Sequence, residues 1–328
     1  MGQYQHRGRG GRQHQQPAPK PFGFVPLPRR VKRESPTGHQ RYHTEHFTGQ
    51  IHATIQALSP IHIGSGVIDL GRDVELIKTA VRRKDNVVIP GSSLKGAIRS
   101  VAEAISESCV CKVSRRIRRD VPRDFAECRR KERLCVACRM FGAMGFQANI
   151  AIQDAPKTDG QIVTMSVPEL FAPGRYQRRM QGIPGRKFYM HGQVASGDTP
   201  VEACEVGSKF RFIAQVDNLT LAEWGLFFTA LGHHHEHPFK LKIGGVKPAC
   251  FGSIDIQIQH IQVQEQTRER YLDWNVQSQS AMTDEPLEAW QLECTHQATG
   301  SLIKQDLLTE LAQILRYPND RNCPSGLY

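Results

Sequence analysis

No stretch of the 328 residues approaches the roughly 18 consecutive apolar residues that a membrane span requires. The polar N-terminus has no apolar signal-peptide core. A soluble, cytoplasmic protein with no membrane partner is therefore predicted. The H-E-x-x-H register of a metalloprotease helix is also missing. In "LGHHHEHPFKL", His233, His234, His235 and His237 are successive or nearly so and do not point the same way, so this segment is predicted as an exposed helix-to-strand turn. Gly91 and Gly96 in "VVIPGSSLKGAIRS" have the spacing of a Walker A loop, but Ala97 and Ile98 stand where that loop requires Lys and Ser or Thr. A nucleotide hydrolase of that type is excluded. No RNP1 motif is present, so base stacking on a sheet face is not indicated. There is no exact internal repeat.

Acidic residues are missing where basic ones gather. Residues 1–33 carry eight Lys or Arg and no acid, and residues 112–139 carry eleven against four acids. Those segments contribute +15 of a net charge of +11, so the rest of the chain sums to −4. With a pI near 9.3, a localised basic surface of this kind points to a polyanionic partner.

The chain divides into three parts. Residues 1–45 are poor in apolar residues and rich in Gln, Gly, Arg, His and Pro, and should form a disordered basic arm when alone. From Phe47 a regular pattern begins. "FTGQIHATIQA" alternates Phe47, Ile51, Ala53, Ile55 and Ala57 with polar residues, as a half-buried strand does. The helix after "PGSS" places Leu94, Ile98, Val101 and Ile105 on one stripe, with Lys95 and Arg99 four apart on another face. "ANIAIQDA", "SKFRFIAQV" and "SIDIQIQ" read as strands, and "LTLAEWGLFFTALG" as a helix ended by Gly232. The order β-α-β, interruption, β-α-β is that of a split βαβ, so an α+β ferredoxin-like core is predicted over residues 46–265. Insertions at 109–147 and 156–207 interrupt it, and such insertions usually carry function. Residues 266–328 form a C-terminal helical extension in which "SLIKQDLLTELAQILRY" reads as one amphipathic helix.

Three clusters carry candidate chemistry. Cys109, Cys111, Cys128, Cys135 and Cys138 fall within thirty residues, while Cys204, Cys250, Cys294 and Cys323 are scattered. Cys128, Cys135, Cys138 and one of Cys109 or Cys111 would close a tetrahedral site for a structural zinc ion that pins the basic flap. "GRYQRRMQGIPGRKFYMHG" interleaves Arg175, Arg178, Arg179, Arg186 and Lys187 with Tyr176, Phe188 and Tyr189, a pairing of charge and stacking suited to single-stranded RNA. "LKIGGVKPACFGSI" is a glycine-rich turn in which Gly244 and Gly245 permit close backbone approach and Lys247 adds charge.

"SPIHIGSG", "RDVELIK", "VIPGSSLKGAIRS", "RMFGAMGFQANIAIQDA" and "IGGVKPACFGSI" together resemble the RAMP superfamily. The closer likeness is to the backbone subunits of type III CRISPR effector complexes. The resemblance covers about Phe47 to Val263. It departs at Ala249 and Cys250, where the family tends to have glycine.

The resemblance implies a modified ferredoxin-like palm, a hairpin thumb over 156–207, and subunits stacked along a CRISPR guide RNA. The helix start at Gly91, Ser92, Ser93 and Lys95, with Arg99, would hold guide phosphates through backbone amides and the lysine. Cleaving members have a loop aspartate shortly before the strand that precedes "PGSSLKG". Asp73 falls there, with Asp69 as its rival. The implied reaction is cleavage of guide-paired target RNA assisted by magnesium or another divalent ion. An architectural subunit without cleavage is the alternative. A guide-processing endonuclease using His62 is a third reading.

Overall fold

Alternating apolar residues build the centre of the protein. The computed structural model describes residues 21–39, 45–71, 74–111, 120–170, 185–264, 272 and 281–324. Strand β1 (Phe22–Val25) precedes the long strand β2 (Phe47–Ala57), in which Ile51, Ala53, Ile55 and Ala57 are buried and the residues between them half-buried. Two hairpins follow, β3 (Gly64–Leu70) with β4 (Leu76–Ala80) and β5 (Arg82–Arg83) with β6 (Asn86–Ile89). They lead to helix α1 (Gly91–Ala104), whose Leu94, Ile98 and Val101 are buried with the next residue, Ile105, as the stripe predicts. Helix α2 (Val136–Phe141) ends the cysteine-rich segment. Strands β7 (Ile150–Ile152), β8 (Ala155–Asp159), β9 (Ile162–Val167), β10 (Arg186–Tyr189) and β11 (Thr199–Cys204) come next. Strand β12 (Lys209–Leu219), helix α3 (Leu221–Ala230), the short β13 (Leu241–Lys242) and β14 (Ser253–Gln264) complete the pattern. Helices α4 (Asp284–Thr299) and α5 (Gln305–Ile314) follow.

Strands β14, β2, β12 and β7 lie side by side in that order, each pair antiparallel. Helix α1 connects β2 to β7 through intervening hairpins, and α3 connects β12 to β14. Two interleaved βαβ units give this order. The helices cover one sheet face, where Phe210, Trp224, Phe227 and Phe228 are fully buried. Each such side chain contributes roughly 1.5–3 kcal/mol of burial.

Helix α3 begins with a complete capping box: the Thr220 hydroxyl accepts from the Glu223 amide at 3.2 Å, and Glu223 Oε2 accepts from the Thr220 amide at 3.2 Å. Thr220→Ala should therefore lower stability by about 1 kcal/mol in urea denaturation, with an unchanged slope.

The insertions join the core rather than standing apart. Strand β8 extends the central sheet from β12 to β6, while β9 and β11 share a second sheet with the β3–β4 hairpin in the order β3-β4-β11-β9. Residues 21–39 also differ from the expectation of a disordered arm. Strand β1 pairs with β10, Val25 is fully buried, and Gly23 packs against Ile314 of α5. The arm has too few apolar residues to fold alone, but its strand borrows a partner 161 to 167 residues away.

The predicted C-terminal helix is shorter than its apolar pattern, because Ile303 turns back to bridge Ser106 and Lys304 caps α5. Helix α4 packs on α3, with Trp290 edge-on to Trp224 and Phe228. The histidine turn is not simply exposed. His234 is buried, accepting from the His237 amide at 3.2 Å and contacting Thr299 Oγ1 at 3.3 Å. Cys250 and Cys323, scattered in sequence, meet as a disulfide with Cα atoms 6.0 Å apart. Among the described residues no helix is long and apolar enough to cross a membrane.

Candidate nucleic-acid interface

Strands β2 and β7 run in the same direction; β2 ends where β12 and β14 begin, with Gln56 facing Lys209 and Ala57 facing Ile254, and β7 ends opposite Ala214. Helix α1, the glycine-rich turn before β14 and the β3–β4 hairpin all spring from this one edge.

At the β7 end, a Cβ on Gly91 would lie 2.1 Å from the Ile152 carbonyl oxygen, so only glycine fits. The Gly91 amide donates to Asp154 Oδ1 at 2.9 Å, and the Ser93 and Leu94 amides donate to the Pro90 carbonyl. This corrects the expected role of Gly91: its amide is occupied within the fold, and the glycine serves close packing. Ser92 and Ser93 are exposed. Lys95 is half-buried, and desolvation, followed by the Arg99 charge, holds its ammonium below the usual lysine range.

At the β14 end, Gly244 has φ 76° and a Cβ there would lie 2.4 Å from the His62 carbonyl oxygen, while the Gly245 amide donates to that oxygen at 2.8 Å. The close approach of both glycines is thus to the His62 loop. Cys250, standing where the resemblance expects glycine, has φ 66°, a left-handed conformation that glycine adopts more easily. Lys247 is half-buried and its pKa is lowered by burial. Lys242, which the sequence reading missed, is buried. Desolvation and then the Lys247 charge push it down to about 7. Its Nζ reaches Ser253 Oγ at 3.4 Å. Among the described residues, no carboxylate pairs with Lys95, Lys242 or Lys247. The one signal was the symmetric flanking of the turn by two lysines. Buried, unpaired cations along one edge favour an incoming anion.

His62 is buried and its Nδ1 lies 2.6 Å from the Glu202 carbonyl oxygen, so Nδ1 carries the proton there. Burial lowers its pKa. A buried neutral imidazole fixed to a backbone carbonyl suits packing of the turn better than proton transfer to RNA.

Two predicted RNA contacts are corrected. Arg99 donates from Nε to Glu103 Oε1 at 2.7 Å, from Nη1 to the Gly142 carbonyl at 2.9 Å and from Nη2 to Cys138 Sγ at 3.3 Å. Arg186 pairs with Glu103 Oε2 and donates to the Cys109 carbonyl at 2.9 Å. Both guanidiniums are spent inside the fold around Glu103, which is 2% exposed. Lys187 sits over the Phe22 and Tyr189 rings at 4.1 and 4.6 Å. Arg175, Arg178, Arg179 and Asp73 lie outside the described residues. Asp69 lies on exposed β3, where its Oδ1 accepts from the Leu70 amide at 2.8 Å.

Cys109, Cys128, Cys135 and Cys138 are buried with their sulfurs all within 4.8 Å of one another. Cys111 is not among the four. A tetrahedral zinc ion with bonds of about 2.3 Å sets its sulfurs roughly 3.8 Å apart. The Cys109 sulfur lies 3.6 Å from those of both Cys135 and Cys138, so the group suits such an ion. Outer contacts suit it too. The Cys109 amide donates to Cys135 Sγ, the Cys135 amide to Cys128 Sγ and Arg99 to Cys138 Sγ. These donors stabilise thiolate charge and orient the ligands. Hydrogen bonding to Cys109 holds the Cys128 and Cys135 thiols below the usual range, Cys135 to about 6.

Against known families, the model described as RAMP superfamily matches residues 54–246. No curated protein matches the chain significantly. The matched span runs from β2 through the cysteine group to the glycine-rich turn.

Proposed function

The chain belongs to the RAMP superfamily, and on that premise we propose that it is a guide-RNA-binding backbone subunit of a type III CRISPR effector complex. The observation that carries this reading is the trio Lys95, Lys242 and Lys247, placed along one sheet edge without carboxylates. In the reading, the central sheet with α1 and α3 is a ferredoxin-like palm, and the insertion at 156–207 is the thumb. RNA phosphates take up Lys95, the Ser92 and Ser93 hydroxyls and the two lysines flanking Gly244 and Gly245. Zinc is the structural ion of the four-cysteine group. Other subunits and a complementary target RNA are the remaining partners.

The finer part of the proposal is cleavage of the guide-paired target. Asp73 holds a divalent ion or orients the attacking 2′-hydroxyl for in-line displacement. Asp69, on the exposed strand leading to the same loop, is the rival.

Labelled RNA complementary to the guide, offered to the assembled complex with and without magnesium, tests this. Asp73→Ala should remove one cut with an at least hundredfold rate loss and leave target binding intact. An unchanged cut pattern in both the Asp73→Ala and Asp69→Ala complexes would leave an architectural subunit.

A further inference from the structure

The described parts of the two basic segments, residues 21–33 and 120–139, meet on one surface. Arg33 donates to the carbonyls of Asp124 at 3.1 Å and Ala126 at 2.9 Å, 91 and 93 positions downstream. Glu34 and Leu134 exchange backbone hydrogen bonds of 2.9 and 2.8 Å. These contacts fix the arm beside the cysteine-rich insertion. A groove of about 590 Å³ lies between them, lined by Arg33, Arg123, Arg129, Arg130 and Arg133. Its lining includes Cys128, one of the four clustered cysteines.

Two acids, Asp124 and Glu127, also line the groove, against five arginines. The Arg129–Glu127 contact is long, 3.9 Å, with the arginine 72% exposed. Arg123, Arg130 and Arg133 are exposed, and among the described residues none of their guanidinium groups meets a carboxylate or a hydrogen-bond acceptor. Such a concentration of guanidiniums on a backbone held by four buried thiols is costly unless a polyanion neutralises it. The guanidinium fork matches phosphate oxygens in two-point contacts. The only apolar side chains of the lining are Val31 and Ala126, which leaves no anchor of the kind that protein interfaces depend on.

We infer that this groove is a second binding site for the phosphodiester backbone of single-stranded RNA, separate from the lysine-lined edge. The inference rests on the reading of the chain as an RNA-binding protein. It adds a contact surface that is independent of α1 and of the glycine-rich turn. Since the groove wall hangs on Cys128, metal binding and RNA binding share one scaffold.

The test uses full-length protein and a fluorescein-labelled single-stranded RNA, with affinity measured by anisotropy at 50 and 200 mM potassium chloride. Arg123→Ser/Arg130→Ser/Arg133→Ser is compared with a variant of equal charge loss elsewhere, Arg83→Ser/Arg316→Ser/Arg321→Ser. Losing three phosphate contacts lowers the slope of log affinity against log salt by about 2. The wild-type drop in affinity between the two salts should then exceed that of the groove variant by about 20-fold. The control should keep the wild-type slope. Metal content equal to wild type confirms that the insertion is folded. If it falls, the single Arg130→Ser decides, with an expected slope change of about 0.7. A groove variant that matches the control overturns the inference alone. So does a loss seen only with polyglutamate as the probe, which would mark a protein-docking surface. Wild-type protein that binds no RNA at either salt overturns the RNA-binding reading as well.

Discussion

Glu103→Ala should destabilise the protein by about 3–5 kcal/mol and lower its thermal midpoint by roughly 10 °C. Glu103 is almost wholly buried and each of its carboxylate oxygens faces a guanidinium, Arg99 at 2.7 Å and Arg186 on the other side. Truncation leaves two buried positive charges facing each other with no carboxylate between them. Removing one member of such a group costs far more than the group contributes when whole, because the uncompensated charges remain desolvated. Glu103→Gln keeps a hydrogen-bond acceptor and should lose roughly half as much. Calorimetry of the three proteins measures the difference. A Glu103→Ala midpoint within one degree of wild type would return Arg99 and Arg186 to the pool of RNA contacts.

Cys135→Ser should abolish stoichiometric metal binding and unfold the cysteine-rich insertion, whereas Cys111→Ser should retain the metal. In the proposed reading the four cysteines hold the ion that pins the basic insertion, and metal binding of this kind contributes directly to folding. Limited trypsin digestion would report the loss as cleavage about tenfold faster at Arg129, Arg130 and Lys131. Metal analysis of the two variants separates the ligand set from its neighbour. Metal retained by Cys135→Ser would break the assignment.

The legible parts of the fold were those governed by period. Ile51, Ala53 and Ile55 on β2, Phe210 and Phe212 on β12, and Leu94 and Ile98 on α1 go inside because alternation and helical spacing leave them no other face. The four-cysteine group was legible because thiols at close spacing in a basic segment have few other uses. Position in sequence says much less about what a charge faces. Arg99 and Arg186 read as RNA contacts because they are basic, but Glu103 and the Cys109 carbonyl claim them.

The opposite error hid Lys242. As one residue of a two-residue strand it has no pattern to mark it, and its character comes from burial near Lys247. Gly91 and Gly244 were read as openings for a ligand, whereas the atoms that demand them are the carbonyl oxygens of Ile152 and His62. Strand β1 was invisible because its partner, β10, lies 161 to 167 residues downstream. Long-range pairing of a short strand leaves almost no local trace.

The central claim is that Lys95 and Lys242 are kept for RNA and not for the fold. The most direct measurement sets RNA affinity beside thermal stability for Lys95→Met/Lys242→Met. Methionine keeps the length of the side chain and removes a desolvated charge that has no anion in the free protein. The account predicts two effects of opposite sign: RNA affinity falls at least tenfold, and the thermal midpoint stays the same or rises. It also predicts that wild-type affinity declines as pH rises above 7, where Lys242 of the free protein loses its proton, and that the variant is flat over that range. Unchanged RNA affinity in the double variant, with a lowered midpoint, would show that these lysines serve the fold and would contradict the account.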